Sequence, residues 1–247
     1  MQSTLVKHNK FFKAGHATSF DTAKKYAVRC DAASSEYGRI PEPGLITTGD
    51  FSLVMSFRYN NGIGGTGPFF LTHGCTARIH PSAGTLRITI FDGTRVSRFD
   101  TDNNVGDGEW HTIVLSIDRD GDANYYENYD SLGSGYTESF DISIVEGDLE
   151  DGGSVDDWLF GFDGAARYAG IDFDQIAIYD AALSTVQAIT NYLRIQSGLE
   201  LGQPGVPIPI CYWKCNEGTG TSVANDGSES NAMTLYNTPT WITDGMI

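Results

Sequence analysis

The sequence predicts an all-β fold, a sandwich of antiparallel sheets that carries one short helix. Apolar and polar residues alternate with period two over residues 51–59 and 112–117, which is the pattern of half-buried strands. The 29 glycines in the 247-residue chain are frequent enough to serve many tight turns. A single segment, which starts near Ser184, changes to the period of an amphipathic helix.

The charge balance limits the classes of partner. The chain has 32 acidic and 16 basic residues and a formal net charge of −16. Binding to nucleic acid or to an anionic lipid surface requires basic residues, so we expect neither a nucleic-acid partner nor a membrane partner. No apolar stretch has transmembrane length, and no signal peptide is visible.

The first half of the chain is expected to consist of short strands after a leader. Residues 1–24 show no periodicity and are predicted to form an N-terminal arm. Strands begin at residue 25, and 51–59 is the cleanest amphipathic strand. A glycine-rich loop at 61–68 precedes further short strands, which extend to residue 91.

The stretch 107–130 is predicted to be one hairpin. Ile113, Leu115 and Ile117 form the apolar side of its first strand. The polar block 118–124 supplies turn formers, because Gly tolerates positive φ and Asp and Asn side chains bond nearby backbone amides. A tyrosine-rich run then begins the second strand at residue 125.

The second half adds strands, a helix and a connector. An acidic loop at 148–157 is followed by strands at 156–160 and 171–180. A proline-rich connector at 199–210 separates these elements from residues 211–247, which are too few to build a core alone. This C-terminal segment must therefore pack on the preceding domain, 25–198, or on a neighbouring chain.

The single helix is predicted from its cap and its period. Ser184 and Gln187 have the spacing of a capping box, in which each side chain bonds the other residue's backbone amide. Gly198 is expected to end the helix. Its apolar positions are Val186, Ile189 and Leu193.

The four cysteines are expected to be free, buried thiols, since a chain of this size does not need disulfides for stability. Four extended residues span about 13 Å, which puts Cys211 and Cys215 beyond disulfide reach. A zinc site lacks further ligands in register. The other two are Cys30 and Cys75.

Several blocks resemble one family in the expected order. The hairpin at 107–130 has Trp-His, an aliphatic strand, an Asp-rich turn and Tyr-x-x-x-Asp, and the blocks at 26–59 and 168–184 follow the same family pattern. They are similar to the laminin-G-like domains of the concanavalin A-like lectin/glucanase superfamily. The departures are Cys30, where an aromatic is usual, and Ala32 in place of Gly. The resemblance implies a two-sheet antiparallel jelly roll over 25–198.

Residues 211–241 resemble a segment that normally precedes the first of these blocks, although here it comes last. One interpretation is a circularly permuted domain, in which the segment completes its own sandwich. The other is donation of the segment to a neighbouring subunit, which would cover an exposed sheet edge. The intramolecular version is favoured, because the termini of compact domains usually lie close together.

Catalysis is not expected. Glucanases of this superfamily carry Glu-x-Asp-x-(x)-Glu on one strand, whereas the nearest match here, 171–175, lacks the leading Glu and ends in Gln175. Gln cannot protonate a leaving group, so the paired carboxylates of glycoside hydrolysis are missing. A hydrolase would have to use Asp172 or Asp174.

Two kinds of binding site have candidates. For Ca²⁺, Asp118, Asp120 and Asp122 occupy the first three oxygen-donor positions of a calcium loop, but the turn glycine and the closing Glu are out of register, and a plain hairpin turn is the leading interpretation. The family resemblance implies Ca²⁺ at a sandwich rim, for which Asp174 and the loop at 148–157 are candidate ligands. For a sugar ligand, the candidate aromatics are Tyr125, Tyr136 and Tyr168.

Two functions follow from these expectations. The first is a non-enzymatic virion structural or adhesion protein, such as a capsid decoration or tail-fibre component, which assembles with other virion or surface proteins or with copies of itself. The combination of an extracellular type of fold, free thiols and no visible signal peptide suggests this role. The alternative is a carbohydrate-binding module or lectin, with or without Ca²⁺, that binds glycans outside the cell or at its surface.

Overall fold

The structure, a computed structural model, describes residues 26–41, 48–60, 68–72, 75–79, 84–128, 135–149, 157–162, 168–197, 199, 201–202 and 206–245. The predicted arm, most of the predicted glycine-rich and acidic loops, and Gly198 lie outside these ranges. Within them the chain forms sixteen strands and one α-helix. The elements are β1 (Ala27–Cys30), β2 (Tyr37–Ile40), β3 (Phe51–Tyr59), β4 (Pro68–Thr72), β5 (Cys75–Ile79), β6 (Thr85–Phe91), β7 (Val96–Asn104), β8 (Trp110–Ile117), β9 (Asp122–Glu127), β10 (Tyr136–Asp141), β11 (Trp158–Phe160), β12 (Ile171–Tyr179), α1 (Thr185–Gln196), β13 (Cys211–Trp213), β14 (Ser222–Val223), β15 (Met233–Tyr236) and β16 (Thr240–Ile242).

The strands form two antiparallel sheets, as predicted. Sheet A has the order β10-β9-β8-β3-β12-β1-β16, and sheet B has the order β14-β15-β2-β11-β4-β5-β6-β7. In sheet A one edge of β12 is shared by two strands: β1 pairs with 171–173, and β13 pairs with 176–178. The change of neighbour falls at a register shift between Phe173 and Ile176.

The main core lies between the two sheets and follows the predicted alternation. In β3 the residues that face it include Phe51, Leu53 and Phe57, all at most 1% exposed. Sheet B contributes Trp158 from β11 to this core. Trp213 of β13, in sheet A, belongs to the same core. Each such side chain contributes roughly 1.5–3 kcal/mol by leaving water, so this layer dominates stability.

A second apolar layer lies between the outer face of sheet A and α1, and here the sequence expectation is incomplete. The alternation of β3 predicts a polar, exposed side that includes Ser52 and Ser56, but both are 0% exposed. The helix covers this face, and the buried hydroxyls have partners: Ser52 Oγ donates to the Ala181 carbonyl oxygen at 2.8 Å, and Ser56 bonds Thr112 at 2.9 Å. Burial of satisfied hydroxyls costs little.

The helix begins as predicted. Ser184 is its N-cap, and the Gln187 side chain accepts a hydrogen bond from the Ser184 backbone amide at 2.9 Å. The predicted apolar face is wrong at one position, because Val186 is 74% exposed while Asn191 is buried. The side chains that face sheet A recur every three or four residues, namely Ala188, Asn191, Tyr192 and Ile195.

The C-terminal segment enters both sheets of its own chain. In sheet A, β13 pairs with β12 and β16 pairs with β1, while in sheet B, β15 pairs with β2. The two ends of the described chain meet, since a Cβ added to Gly245 would lie 3.1 Å from the backbone oxygen of Tyr26. This arrangement is the intramolecular alternative; the segment boundaries at 24, 198 and 210 stay predictions.

Candidate functional site

Partly exposed aromatic side chains gather on the outer face of sheet B. In β2, Gly38 and Ile40 are buried toward the core, so the alternation turns Tyr37 and Arg39 outward. Tyr236 of β15 lies directly opposite Tyr37 in the strand register. Each of these outward residues is half-buried rather than covered.

Two further rings complete this group. Phe162 and Tyr168 face each other in an isolated antiparallel bridge just beyond β11. Their rings stack at 4.5 Å between centroids and 14° between planes. The four residues Tyr37, Phe162, Tyr168 and Tyr236 are called the aromatic cluster below.

The cluster is a file of rings centred on Tyr37. Tyr236 stacks on Tyr37 with centroids 4.8 Å apart and planes 5° apart, and Phe162 lies 4.8 Å from Tyr37 at 39°. Among the described aromatic side chains, Tyr236 contacts Tyr37 alone, so it ends the file. A terminal ring has no described aromatic partner on its second face, whereas an inner ring offers its edge and hydroxyl.

A charged pair lies beside the file. Arg39 is two residues after Tyr37 on the same face of β2, and its Nη2 lies 2.6 Å from Asp157 Oδ2. The Arg39 side chain is 42% exposed and that of Asp157 is 21% exposed. Donors and an acceptor are therefore presented next to apolar rings.

The cluster is chemically suited to binding rather than to reaction. Burial, and then the neighbouring Tyr236, raises the pKa of Tyr37, so its hydroxyl stays protonated at neutral pH and can donate a hydrogen bond. Apolar faces, hydroxyls and an ion pair in one patch match ligands that have both CH-rich faces and hydroxyl groups.

Of the three tyrosines predicted to bind a ligand, the structure brings one to this cluster. Tyr168 belongs to it. Tyr136 lies on β10 in the other sheet, where its hydroxyl accepts a hydrogen bond from the Asp102 amide at 2.8 Å. Tyr125 is 0% exposed and its hydroxyl donates to Glu127 at 2.6 Å, so the ring has no face open to a ligand.

The cluster residues that sequence reasoning missed are Tyr37, Phe162 and Tyr236. The outward orientation of Tyr37 and Tyr236 could be read from the alternation in Tyr37–Ile40 and Met233–Tyr236, but no strand pattern covers Phe162. Their proximity depends on the pairing of β2 with β15, which joins distant parts of the chain. No local pattern specifies that register.

The aspartates predicted to bind Ca²⁺ do not come together. Asp118 and Asp120 lie in the turn between β8 and β9, where the Asp118 carboxylate accepts the Asp120 amide at 3.1 Å. Asp122 accepts a hydrogen bond from Ser139 at 3.1 Å, and Asp174 is buried in the distant strand β12. Among the described residues no group of three or more His, Cys, Asp or Glu side chains could hold a metal ion.

Asp172, a candidate carboxylate for hydrolysis, is held in an ionic cluster on the outer face of sheet A. Arg29 donates to both of its oxygens at 2.8 Å, and Arg58 Nη2 and Asn60 Nδ2 each lie 2.6 Å away. Burial alone would raise the pKa of Asp172, but the hydrogen bonds from Arg29, Arg58 and Asn60 outweigh it and lower the pKa. The carboxylate is therefore ionised at neutral pH and cannot serve as a general acid.

His111 is also enclosed by partners. Its Nδ1 lies 2.7 Å from Glu127 Oε1 and its Nε2 lies 2.8 Å from Asp107 Oδ1. The residue is 4% exposed. His111 therefore links Asp107, in the loop before β8, to Glu127 of β9. This link lies inside the sandwich, where a ligand cannot reach it.

The comparisons with known proteins agree on the fold. The structure is similar to a candidate carbohydrate-binding protein from Bacteroides ovatus, with a TM-score of 0.64, 15% identity, and coverage of 90% of this chain and 60% of that one. It is also similar to a heptameric SAP-like pentraxin from Limulus polyphemus, with a TM-score of 0.56, 13% identity, and coverage of 91% and 97%. The fold is that of the concanavalin A-like lectins and glucanases.

The jelly-roll prediction is thereby confirmed. The LG1–3 region of the laminin α2 chain is a more distant match, with a TM-score of 0.47, 16% identity, and coverage of 67% of this chain and 33% of that one. The chain spans 60% of the length of the Bacteroides protein. No protein-family model matches the chain, and no curated protein is detectably similar to it. The helix in the described part is not long and apolar enough to cross a membrane.

Proposed function

We propose that the protein is a non-enzymatic carbohydrate-binding module whose ligand lies against the aromatic cluster. The observation that carries the proposal is the half-exposed file that Tyr236 ends, with the ion pair of Arg39 and Asp157 beside it. Sugar rings have CH-rich faces that stack on aromatic side chains, and their hydroxyls bond neighbouring polar groups.

The fold supports this reading over the others. The Bacteroides protein with the same fold is described as a candidate carbohydrate-binding protein, at 15% identity. A non-enzymatic role is supported by Asp172, whose carboxylate is fully engaged by arginines and asparagine. The virion role suggested by the sequence stays a prediction, since no described contact favours it; an extracellular or cell-surface location is part of the present proposal.

The test is a glycan array probed with the wild type, Tyr236→Ala and Tyr236→Phe. The wild type should bind a restricted set of glycans, and Tyr236→Ala should weaken binding at least about tenfold, because it removes the terminal stacking face. Tyr236→Phe keeps the ring but loses the hydroxyl and its hydrogen bond with Arg39, so it should retain the stacking contribution to the affinity.

Two outcomes would contradict the proposal. One is a wild-type array without signal across plant, bacterial and animal glycans. The other is binding that Tyr236→Ala leaves unchanged while circular dichroism shows all three proteins folded. In that case the ligand lies elsewhere on the molecule.

A further inference from the structure

The ion pair next to the aromatic cluster is placed to choose among glycans. Asp157 immediately precedes β11, whose Leu159 lies opposite Arg39 in the register of β2 and β11. The pair therefore joins β2 to the residue that leads into the adjacent strand β11. Its Nη2–Oδ2 distance of 2.6 Å is that of a charge-assisted hydrogen bond.

Such a pair offers a donor and an acceptor side by side. A sugar hydroxyl both donates and accepts, so two neighbouring hydroxyls can bond the guanidinium and the carboxylate at once. Both side chains remain partly exposed, at 42% for Arg39 and 21% for Asp157, while the Arg39 Nε atom is buried and has no hydrogen-bond partner.

The same pair is unfavourable for an acidic sugar. Asp157 already neutralises Arg39, so the rim carries no net positive charge, and a ligand carboxylate would face the Asp157 carboxylate. The net charge of −16 repels polyanions further at low salt. An acidic glycan would have to displace Asp157 from Arg39 before it could bind.

We propose that the pair of Arg39 and Asp157 determines specificity, selecting neutral hexose glycans at the aromatic cluster and rejecting those with a carboxylate in the same place. This inference rests on the proposed function of the cluster. Asp157 acts here by like-charge exclusion, and Arg39 by hydrogen bonding to hydroxyls.

The experiment compares six probes by calorimetry. These are a β-glucan, a mannan and a galactan, each used untreated and after oxidation of its C6 hydroxyl to a carboxylate. The wild type should bind at least one neutral polymer, and its oxidised form roughly ten- to a hundredfold more weakly, the usual range for one charged hydrogen-bonding interaction. Asp157→Asn should reduce this ratio toward one, and Arg39→Gln should weaken binding of the neutral polymer.

The chain provides a matched control on the same face of sheet B. Arg87 and Asp100 form an ion pair across β6 and β7, with Nε and Nη2 each 2.6 Å from the carboxylate oxygens. Asp100→Asn removes the same charge as Asp157→Asn but at a pair on other strands. It should leave the neutral-to-oxidised ratio unchanged.

The outcomes separate the two proposals. If the oxidised polymers bind as well as the neutral ones, or if Asp157→Asn and Asp100→Asn change the ratio equally, the specificity role is wrong while glycan binding stands. If none of the six probes binds, the specificity role for neutral hexose glycans fails, and the glycan array decides separately whether the proposed function stands. Loss of fold in Asp157→Asn would be seen by thermal unfolding, and in that case Arg39→Gln decides: unchanged binding of the neutral polymer overturns the inference.

Discussion

The buried imidazole of His111 links a local contact to the stability of the protein. Burial alone would lower the pKa of His111, but the hydrogen bonds that its ring donates to Glu127 and Asp107 outweigh this effect, and the pKa is raised above 6.5. Because the folded-state pKa is the higher one, protonation of His111 stabilises the fold in full below pH 6.5. That contribution disappears as the pH rises through the folded-state pKa.

We therefore expect the wild type to lose stability when the pH is raised from 6.5, beyond any loss shown by His111→Gln. At pH 6 the variant should be less stable by about 3 kcal/mol, because the buried carboxylate of Glu127 loses its cationic partner. Urea unfolding of both proteins from pH 5.5 to 9 measures the difference. If the unfolding free energies of the two proteins changed with pH in parallel across this range, the assignment of a charged His111 would be wrong.

The sequence places His111 in the Trp-His pattern of the hairpin but does not reveal its partners. Trp110 and His111 are adjacent in the chain, whereas the contact with Glu127 depends on the pairing of β8 with β9. The same limit explains Tyr125, which resembles an exposed aromatic by its polar neighbours and yet lies in the core. The chemistry of a side chain is evident from the local sequence, but its burial by distant parts of the chain is not.

The carboxylate of Asp172 links several strands of sheet A through side-chain hydrogen bonds. Asp172 of β12 bonds Arg29 of β1 and Arg58 of β3, and Arg58 also bonds Asp244 beyond β16 at 2.9 Å. Arg58 lies over the ring of Trp110, 5.0 Å from its centroid. This ionic cluster therefore joins β1 and the residues after β16 to the central strands β3 and β12.

The two carboxylates of this ionic cluster, Asp172 and Asp244, should differ strongly in their contribution to the free energy of unfolding. Asp172→Asn leaves two arginines without their buried partner and should cost about 3–5 kcal/mol of unfolding free energy. Asp244→Asn should cost less than about 1 kcal/mol, since the Asp244 side chain is 61% exposed. Denaturant unfolding measures both, and equal costs would show that burial does not govern the cluster.

The elements themselves were largely predictable. The strands β3, β8 and β12 were evident from their apolar residues, and the capping box at Ser184 located the start of α1. What could not be predicted is that α1 covers sheet A, which buries the serines of β3 and leaves Val186 exposed. Such coverage is a tertiary contact, and local periodicity does not encode it.

The C-terminal segment completes both sheets of the sandwich and much of the core between them. The four side chains of β13 and β15 that face the core between the sheets are at most 4% exposed, and their burial contributes about 6–12 kcal/mol. That amount is comparable to the whole stability of a typical domain, about 5–15 kcal/mol. These side chains are Cys211, Trp213, Met233 and Leu235.

A chain that ends at residue 205 should therefore fail to fold. It would expose the edges of β1 and β2, and we expect it to lack a cooperative thermal transition and to bind the dye ANS. A chain that lacks only residues 246–247 is the control and should unfold cooperatively, like the full chain. A cooperative transition in the shorter chain would show that 25–198 is an independent domain.

The position of Tyr236 at the end of the aromatic file also sets when binding can arise during synthesis. Tyr37 is made early, and most of the chain is translated before Tyr236 can leave the ribosome and pair with it. A nascent chain thus carries an incomplete site until β15 has docked, however much of sheet A has already formed. If the aromatic cluster is the glycan site, a nascent chain can hold a glycan only after β15 has paired with β2.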